Sequence, residues 1–227
     1  MRRSDNIIIV NMLSLLSMIE IRTDSRLFVC GKTGSGKSWF VKKILWPRYN
    51  GIKIYHDPKH EEIGNSKLLF YGFYVYDNEQ LLTALQNNRR EIIYIPRIGL
   101  DYENELSEFN RMCEILYKWG NTTLFIDECG LISNQFTIQQ WHREILVRGR
   151  TRNVGLVNIT QRPKEIPNLI ITEAEHQFIF KLNLDTDIIK MKGSLPRQYH
   201  EQMYSLKPYH FIYTDIYGNS FIHEPIK

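Results

Sequence analysis

Eight residues, Gly31 to Ser38 (GKTGSGKS), match the spacing G-x-x-x-x-G-K-[ST] in full. Glycines at 31, 34 and 36 let the main chain turn its N–H groups inward around an anion, as a phosphate-holding loop must. A helix after the loop adds its positive N-terminal end, Lys37 extends toward the β- and γ-phosphates, and the Ser38 hydroxyl supplies an oxygen to Mg2+. Gly31, Lys32, Thr33, Gly34, Ser35, Gly36, Lys37 and Ser38 are therefore the candidate ATP-binding residues.

Two further groups of residues suit the chemistry of a bound triphosphate. Thr123 to Glu128 (TLFIDE) is an apolar run ending in two carboxylates. Asp127 at the end of that run can hold Mg2+ through water, and Glu128 can orient and deprotonate a water that attacks the γ-phosphate. Arg148 to Pro163 (RGRTRNVGLVNITQRP) leads from an arginine cluster through another apolar run to Gln161. A neutral amide at a strand tip can sense the γ-phosphate or position water without adding charge. Arg148, Arg150 and Arg152 are open to three readings: solvated loop charges, a phosphate-binding patch, or an arginine finger given to a neighbouring subunit. Asp57 in Asp57-Pro58-Lys59 also follows an apolar run, where Asp and Pro equally suit a plain turn.

These groups need a scaffold that presents them together. Short apolar runs alternate with amphipathic segments, the pattern of a parallel sheet covered by helices. Buried strands are expected at Arg26–Cys30, Ile52–Tyr55, Glu91–Ile95, Thr123–Ile126, Gly155–Thr160 and Gln177–Leu182. Helices are expected at Ser38–Leu45, stopped by Pro47, at Asn78–Asn87, and at Glu103–Trp119 with Leu106, Phe109, Met112, Cys113, Leu116 and Tyr117 on one side. Tyr209–Thr214 and Ser220–His223, around Tyr217-Gly218-Asn219, read as a hairpin closing the sheet.

The chain has 227 residues, 43% of them apolar, enough for one sizeable core. It reads as one α/β domain: a packing segment at 1–25, a core at 26–182 and a C-terminal extension at 183–227. The formal charge of +4 permits a nucleic-acid partner. Cys30, Cys113 and Cys129 have neither disulfide-framework nor zinc-site spacing and read as buried thiols. Ile7 to Ile19 is interrupted by Asn11 and is shorter than the ~20 residues of a membrane span. It reads as a strand or helix packed on the core, in a soluble intracellular protein.

Taken together, the segments resemble the FtsK/HerA superfamily of P-loop ATPases, in particular the genome-packaging ATPases of membrane-containing icosahedral viruses. The resemblance runs from about Arg26 to Tyr213 and includes GKTGSGKS, YHDPKHE at Tyr55 to Glu61, LFIDE, and RGRTRNVGLVNITQRP, which is similar to the family's G-R-x-x-G, strand, Gln and Pro. It implies a RecA/ASCE-like three-layer sandwich around a mostly parallel sheet, with the Gln161 strand between the P-loop strand and the Asp127 strand. It further implies that Lys37 and Ser38 bind phosphate and Mg2+, Asp127 supports the metal, Glu128 activates water and Gln161 is the sensor. Arg150 aligns best with the trans-acting arginine, with Arg148 and Arg152 as rivals. The partners implied are a ring of identical subunits, a hexamer, sequence-independent double-stranded DNA, and capsid or membrane-vertex proteins, in the host cytoplasm and virion. The competing readings are a related motor in conjugation or phage extrusion, a small-molecule or nucleoside kinase, and a nucleotide-gated assembly subunit.

Overall fold

In the strand Arg26–Cys30, Leu27 and Val29 pack into one apolar core and Phe28 and Cys30 into another, and all four are sealed from solvent. A strand buried on both faces belongs inside a sheet covered on both sides. The computed structural model, which describes residues 9–11, 19–61 and 71–224, has that architecture.

The strands are β1 (Ile9–Asn11), β2 (Arg26–Cys30), β3 (Ile52–His56), β4 (Phe73–Val75), β5 (Glu91–Tyr94), β6 (Thr122–Ile126), β7 (Val154–Thr160), β8 (His176–Phe180), β9 (Phe211–Asp215) and β10 (Ser220–Glu224). They form one sheet in the order β1-β10-β9-β8-β2-β7-β6-β3-β5-β4. From β8 to β4 every neighbour is parallel, while β9 runs antiparallel to both β8 and β10. The expected order is observed: β7, which leads to Gln161, lies between β2 and β6. Of the stretch Ile7 to Ile19, β1 joins the far edge beside β10, and residues 7–8 and 12–18 lie outside the described residues.

One face carries the helix that follows the glycine loop. It begins as α1 (Lys37–Phe40), widens to π turns over Val41–Leu45 and tightens to a 3-10 turn at Trp46–Arg48. Pro47 therefore does not stop the helix at Leu45. Its missing N–H and its ring, which would meet the carbonyl one turn back, coincide instead with a change of pitch. Phe40, Val41, Leu45 and Trp46 bury themselves on this face with Phe125, Val157 and Phe178 of the sheet.

The opposite face carries α2 (Asn78–Gln86), α3 (Tyr102–Trp119), α4 (Gln140–Arg148), α5 (Asn168–Thr172) and α6 (Asp185–Lys192). The α3 helix starts where the Asp101 carboxylate accepts the Asn104 N–H at 2.9 Å, and it buries Phe109, Met112, Cys113 and Leu116. The sequence pattern does not single out α4, because only His142, Ile145 and Leu146 of its nine residues are buried. Its imidazole enters the core because Asn158 and Ser133 meet both ring nitrogens, at 3.0 and 3.3 Å. All three cysteines are buried and free. Among the described residues, no helix is long and apolar enough to cross a membrane.

Candidate nucleotide site

Because β2, β7, β6 and β3 are parallel and in register, their carboxyl ends reach the same sheet edge, where open α/β sheets bind ligands. From that edge leave the loop 31–36, Gln161, the pair Asp127–Glu128, and Asp57 to Lys59. A cavity of about 220 Å³ there is lined by Thr33, Lys37, Ser38, Lys59, Asp127, Glu128 and Gln161, together with Trp39 and Tyr209.

The glycine loop takes the shape that its composition allows. Gly31, Gly34 and Gly36 have φ of 150°, 74° and 107°, values that side chains rarely permit. Gly36 starts the helix with no side-chain cap, so the first N–H groups of α1 face the cavity end without an internal acceptor. The loop is pinned to the sheet by Gly31 N–H to Thr160 O (3.3 Å) and Lys32 N–H to Lys181 O (2.8 Å). The Lys37 ammonium donates to the carbonyls of Gly31 (2.5 Å) and Lys32 (2.9 Å). Burial lowers its pKa to about 8, against the pull of Glu128, Cys30 and Asp127.

Asp127, immediately after β6, is buried, and burial pushes its carboxyl up to about 6, with Lys59 opposing and Glu61 and Glu128 adding to the rise. The Ser38 hydroxyl lines the same cavity. Two hard oxygen donors beside space for phosphates fit Mg2+, which is usually held by one or two protein ligands together with the substrate. Among the described residues, no cluster of three or more His, Cys, Asp or Glu side chains is placed to hold a metal by itself.

Glu128 is held by its backbone conformation and by three donors. Its backbone is left-handed, φ 45° and ψ 62°, a strained conformation of the kind that concentrates at functional positions. One carboxylate oxygen accepts from the Thr160 hydroxyl (2.8 Å) and the Gln161 N–H (2.9 Å), and the other pairs with the Lys59 ammonium at 3.0 Å. Burial raises its pKa, but the Gln161 N–H, Lys59 and Thr160 outweigh that and hold the carboxyl below its ordinary value. The Gln161 side-chain oxygen accepts from the Thr33 hydroxyl at 2.5 Å, tying the tip of β7 to the glycine loop.

The arginines are not in this cavity. They precede β7 and so stand at the opposite edge of the sheet: Arg148 pairs with Glu144 (2.8 Å), Arg150 with Glu175 (3.0 Å), and Arg152 donates to the carbonyls of Tyr117 and Lys118. Around Asp57-Pro58-Lys59 the structure reverses the emphasis suggested by the sequence, burying Asp57 completely and turning Lys59 into the cavity. Thr160, Trp39 and Tyr209 are additional neighbours of the site. Nothing local marks Tyr209, which is delivered by the approach to β9 from far along the chain.

No family model matches the chain. It is 23% identical over 208 residues to the DNA packaging ATPase P9 of Enterobacteria phage PRD1, covering 86% of this chain and 84% of that protein. Its fold is similar to the genome packaging NTPase B204 of Sulfolobus turreted icosahedral virus 2 solved with AMP (TM-score 0.71, 20% identity, 91% of this chain and 100% of that one). It is also similar to VirB4 of Thermoanaerobacter pseudethanolicus (TM-score 0.63, 10% identity, 87% and 88%). The resemblance to viral genome-packaging ATPases therefore appears in sequence, at 23% identity, and in fold, and the chain is a P-loop ATPase.

Proposed function

We propose that this ATPase is a motor that moves double-stranded DNA into a preformed viral capsid, working as a ring of identical subunits, six in this reading. The observation that supports it best is the convergence of Lys37, Ser38, Asp127, Glu128 and Gln161 on one cavity in a chain similar over most of its length to a packaging ATPase. In this reading the glycine loop and Lys37 hold the phosphates of ATP. Ser38 and Asp127 hold Mg2+, which when bound neutralises phosphate charge. The water oxygen bonds to the γ-phosphorus, the bond to the bridging oxygen breaks, and Glu128 accepts the water proton. Glu128 reaches that state once its pair with Lys59 opens, because a carboxylate already accepting from three donors is a poor base. Gln161 hydrogen-bonds the γ-phosphate or the water.

Arg150 enters the site of the next subunit, which suits its place at the sheet edge remote from its own cavity. DNA is held through its phosphates without reading bases, so binding weakens steeply with salt. Capsid or membrane-vertex proteins anchor the ring, in the host cytoplasm and at the packaging vertex of the virion.

The test is ATP hydrolysis with and without double-stranded DNA, for the wild type and Glu128→Gln. DNA should stimulate the wild type and not the variant. Hydrolysis indifferent to both DNA and the substitution would overturn the motor reading.

A further inference from the structure

Tyr209 combines features that core packing does not explain. Its backbone has φ 63°, in the left-handed region that a bulky aromatic rarely enters, yet the residue remains 47% exposed. The conformation is imposed from both sides. Pro208 precedes it, the His210 N–H donates to Lys207 O at 3.1 Å, and the Tyr209 N–H donates to Ser35 O, inside the glycine loop, at 2.8 Å. The ring then lies directly on the start of α1: a Cβ built on Gly36 would stand 2.7 Å from Tyr209 Cδ1. Trp39 meets it edge-on, with centroids 6.0 Å apart and planes at 83°. An outlier of this kind, held over a ligand cavity with half its surface uncovered, points to a ligand contact rather than a packing role.

The ligand contact follows from position. A nucleotide whose phosphates lie in the loop carries its sugar and base outward past the beginning of α1, where Trp39 and the half-exposed Tyr209 line the cavity. We propose that Tyr209, braced by Trp39, is the shelf on which the purine base of the bound nucleoside triphosphate stacks. This deepens the nucleotide-site reading and rests on it. Gly36 is then needed for a second reason besides its φ, since any side chain there would displace the shelf.

The test compares a ligand with a base and one without, in the full chain: equilibrium binding of AMP-PNP and of inorganic tripolyphosphate, each with Mg2+. Tyr209→Gly removes the ring and suits the left-handed backbone, so the loop keeps its course. The expected result is a loss of about tenfold in AMP-PNP affinity with tripolyphosphate unchanged within about twofold, and Tyr209→Phe retaining both. A Tyr209→Gly chain that holds AMP-PNP as tightly as the wild type, or that loses both ligands equally, would overturn the shelf and leave the phosphate site standing. Wild-type protein, folded by circular dichroism, that binds neither ligand would remove the nucleotide site and the shelf with it.

Discussion

The Glu128 carboxylate is paired with the Lys59 ammonium at 3.0 Å, on the opposite side from the Thr160 and Gln161 donors that hold its other oxygen. Lys59 therefore stabilises the ionised form, and its removal leaves burial less opposed. Lys59→Met should move the acid limb of the single-turnover pH profile upward. An acid limb that stays in place would mean that the pair does not govern the base.

Glu128→Gln keeps the shape of the site and removes the proton acceptor. Hydrolysis should fall by about 10²-fold or more, with nucleotide affinity nearly unchanged. Rapid-quench kinetics beside equilibrium binding separates the two, and a parallel loss of binding would place Glu128 among the phosphate-holding groups instead.

Arg150→Ala should cost little stability, because loss of the partly exposed Arg150 leaves Glu175 paired with Arg26 at 3.2 Å and Arg22 at 3.9 Å. ATP turnover should nevertheless fall by about 10³-fold, the scale of an arginine finger. Mixed with Lys37→Ala chains, Arg150→Ala chains should regain part of the activity at intermediate ratios. Activity proportional to dilution alone would count against a site shared between subunits.

His142 is buried and neutral, its pKa lowered from 6.5 to about 4 by burial despite the hydrogen bond that its ring donates to the Asn158 side-chain oxygen. The unfolded chain binds that proton first as pH falls, so the native state has its full share of stability above pH ~6.5 and loses it progressively down to pH ~4. The difference corresponds to about 3 kcal/mol. Urea unfolding between pH 7 and 4 should show a slope that flattens in His142→Gln, although that variant starts less stable.

Gly155→Ala should destabilise the fold by about 3 kcal/mol or more. A Cβ at Gly155 would enter the space of the Thr23 and Ser25 carbonyls, the latter 2.6 Å away. Thermal melting checks this, and an unchanged midpoint would mean that the segment before β2 moves aside freely.

Local chemistry made much of the scaffold readable. Arg26–Cys30 is apolar on both faces and meets glycines, and Thr123 to Glu128 ends in acids, so a buried parallel strand and its functional tip are written in adjacent residues. What remained hidden depends on distant partners. The α4 helix buries a histidine that only Ser133 and Asn158 make acceptable, and its polar remainder resembles a loop. Asp57 was the more conspicuous member of its tripeptide, but the longer Lys59 side chain is the one that reaches Glu128. Tyr209 takes its place from the hydrogen bond to Ser35 across some 170 residues of sequence, a relationship that no periodicity can announce.

The β7 strand has Gln161 immediately beyond one end and the Arg150–Arg152 turn before the other, with all seven of its residues buried between β2 and β6. At ~3.3 Å per residue it is a rod about 23 Å long, clamped along its whole length in close-packed surroundings. Such a strand has no slack in which to absorb a shift at one tip. Gln161 and the arginine turn are thereby held ~23 Å apart, far more than one arginine side chain spans, so Arg150 does not reach the cavity of its own chain.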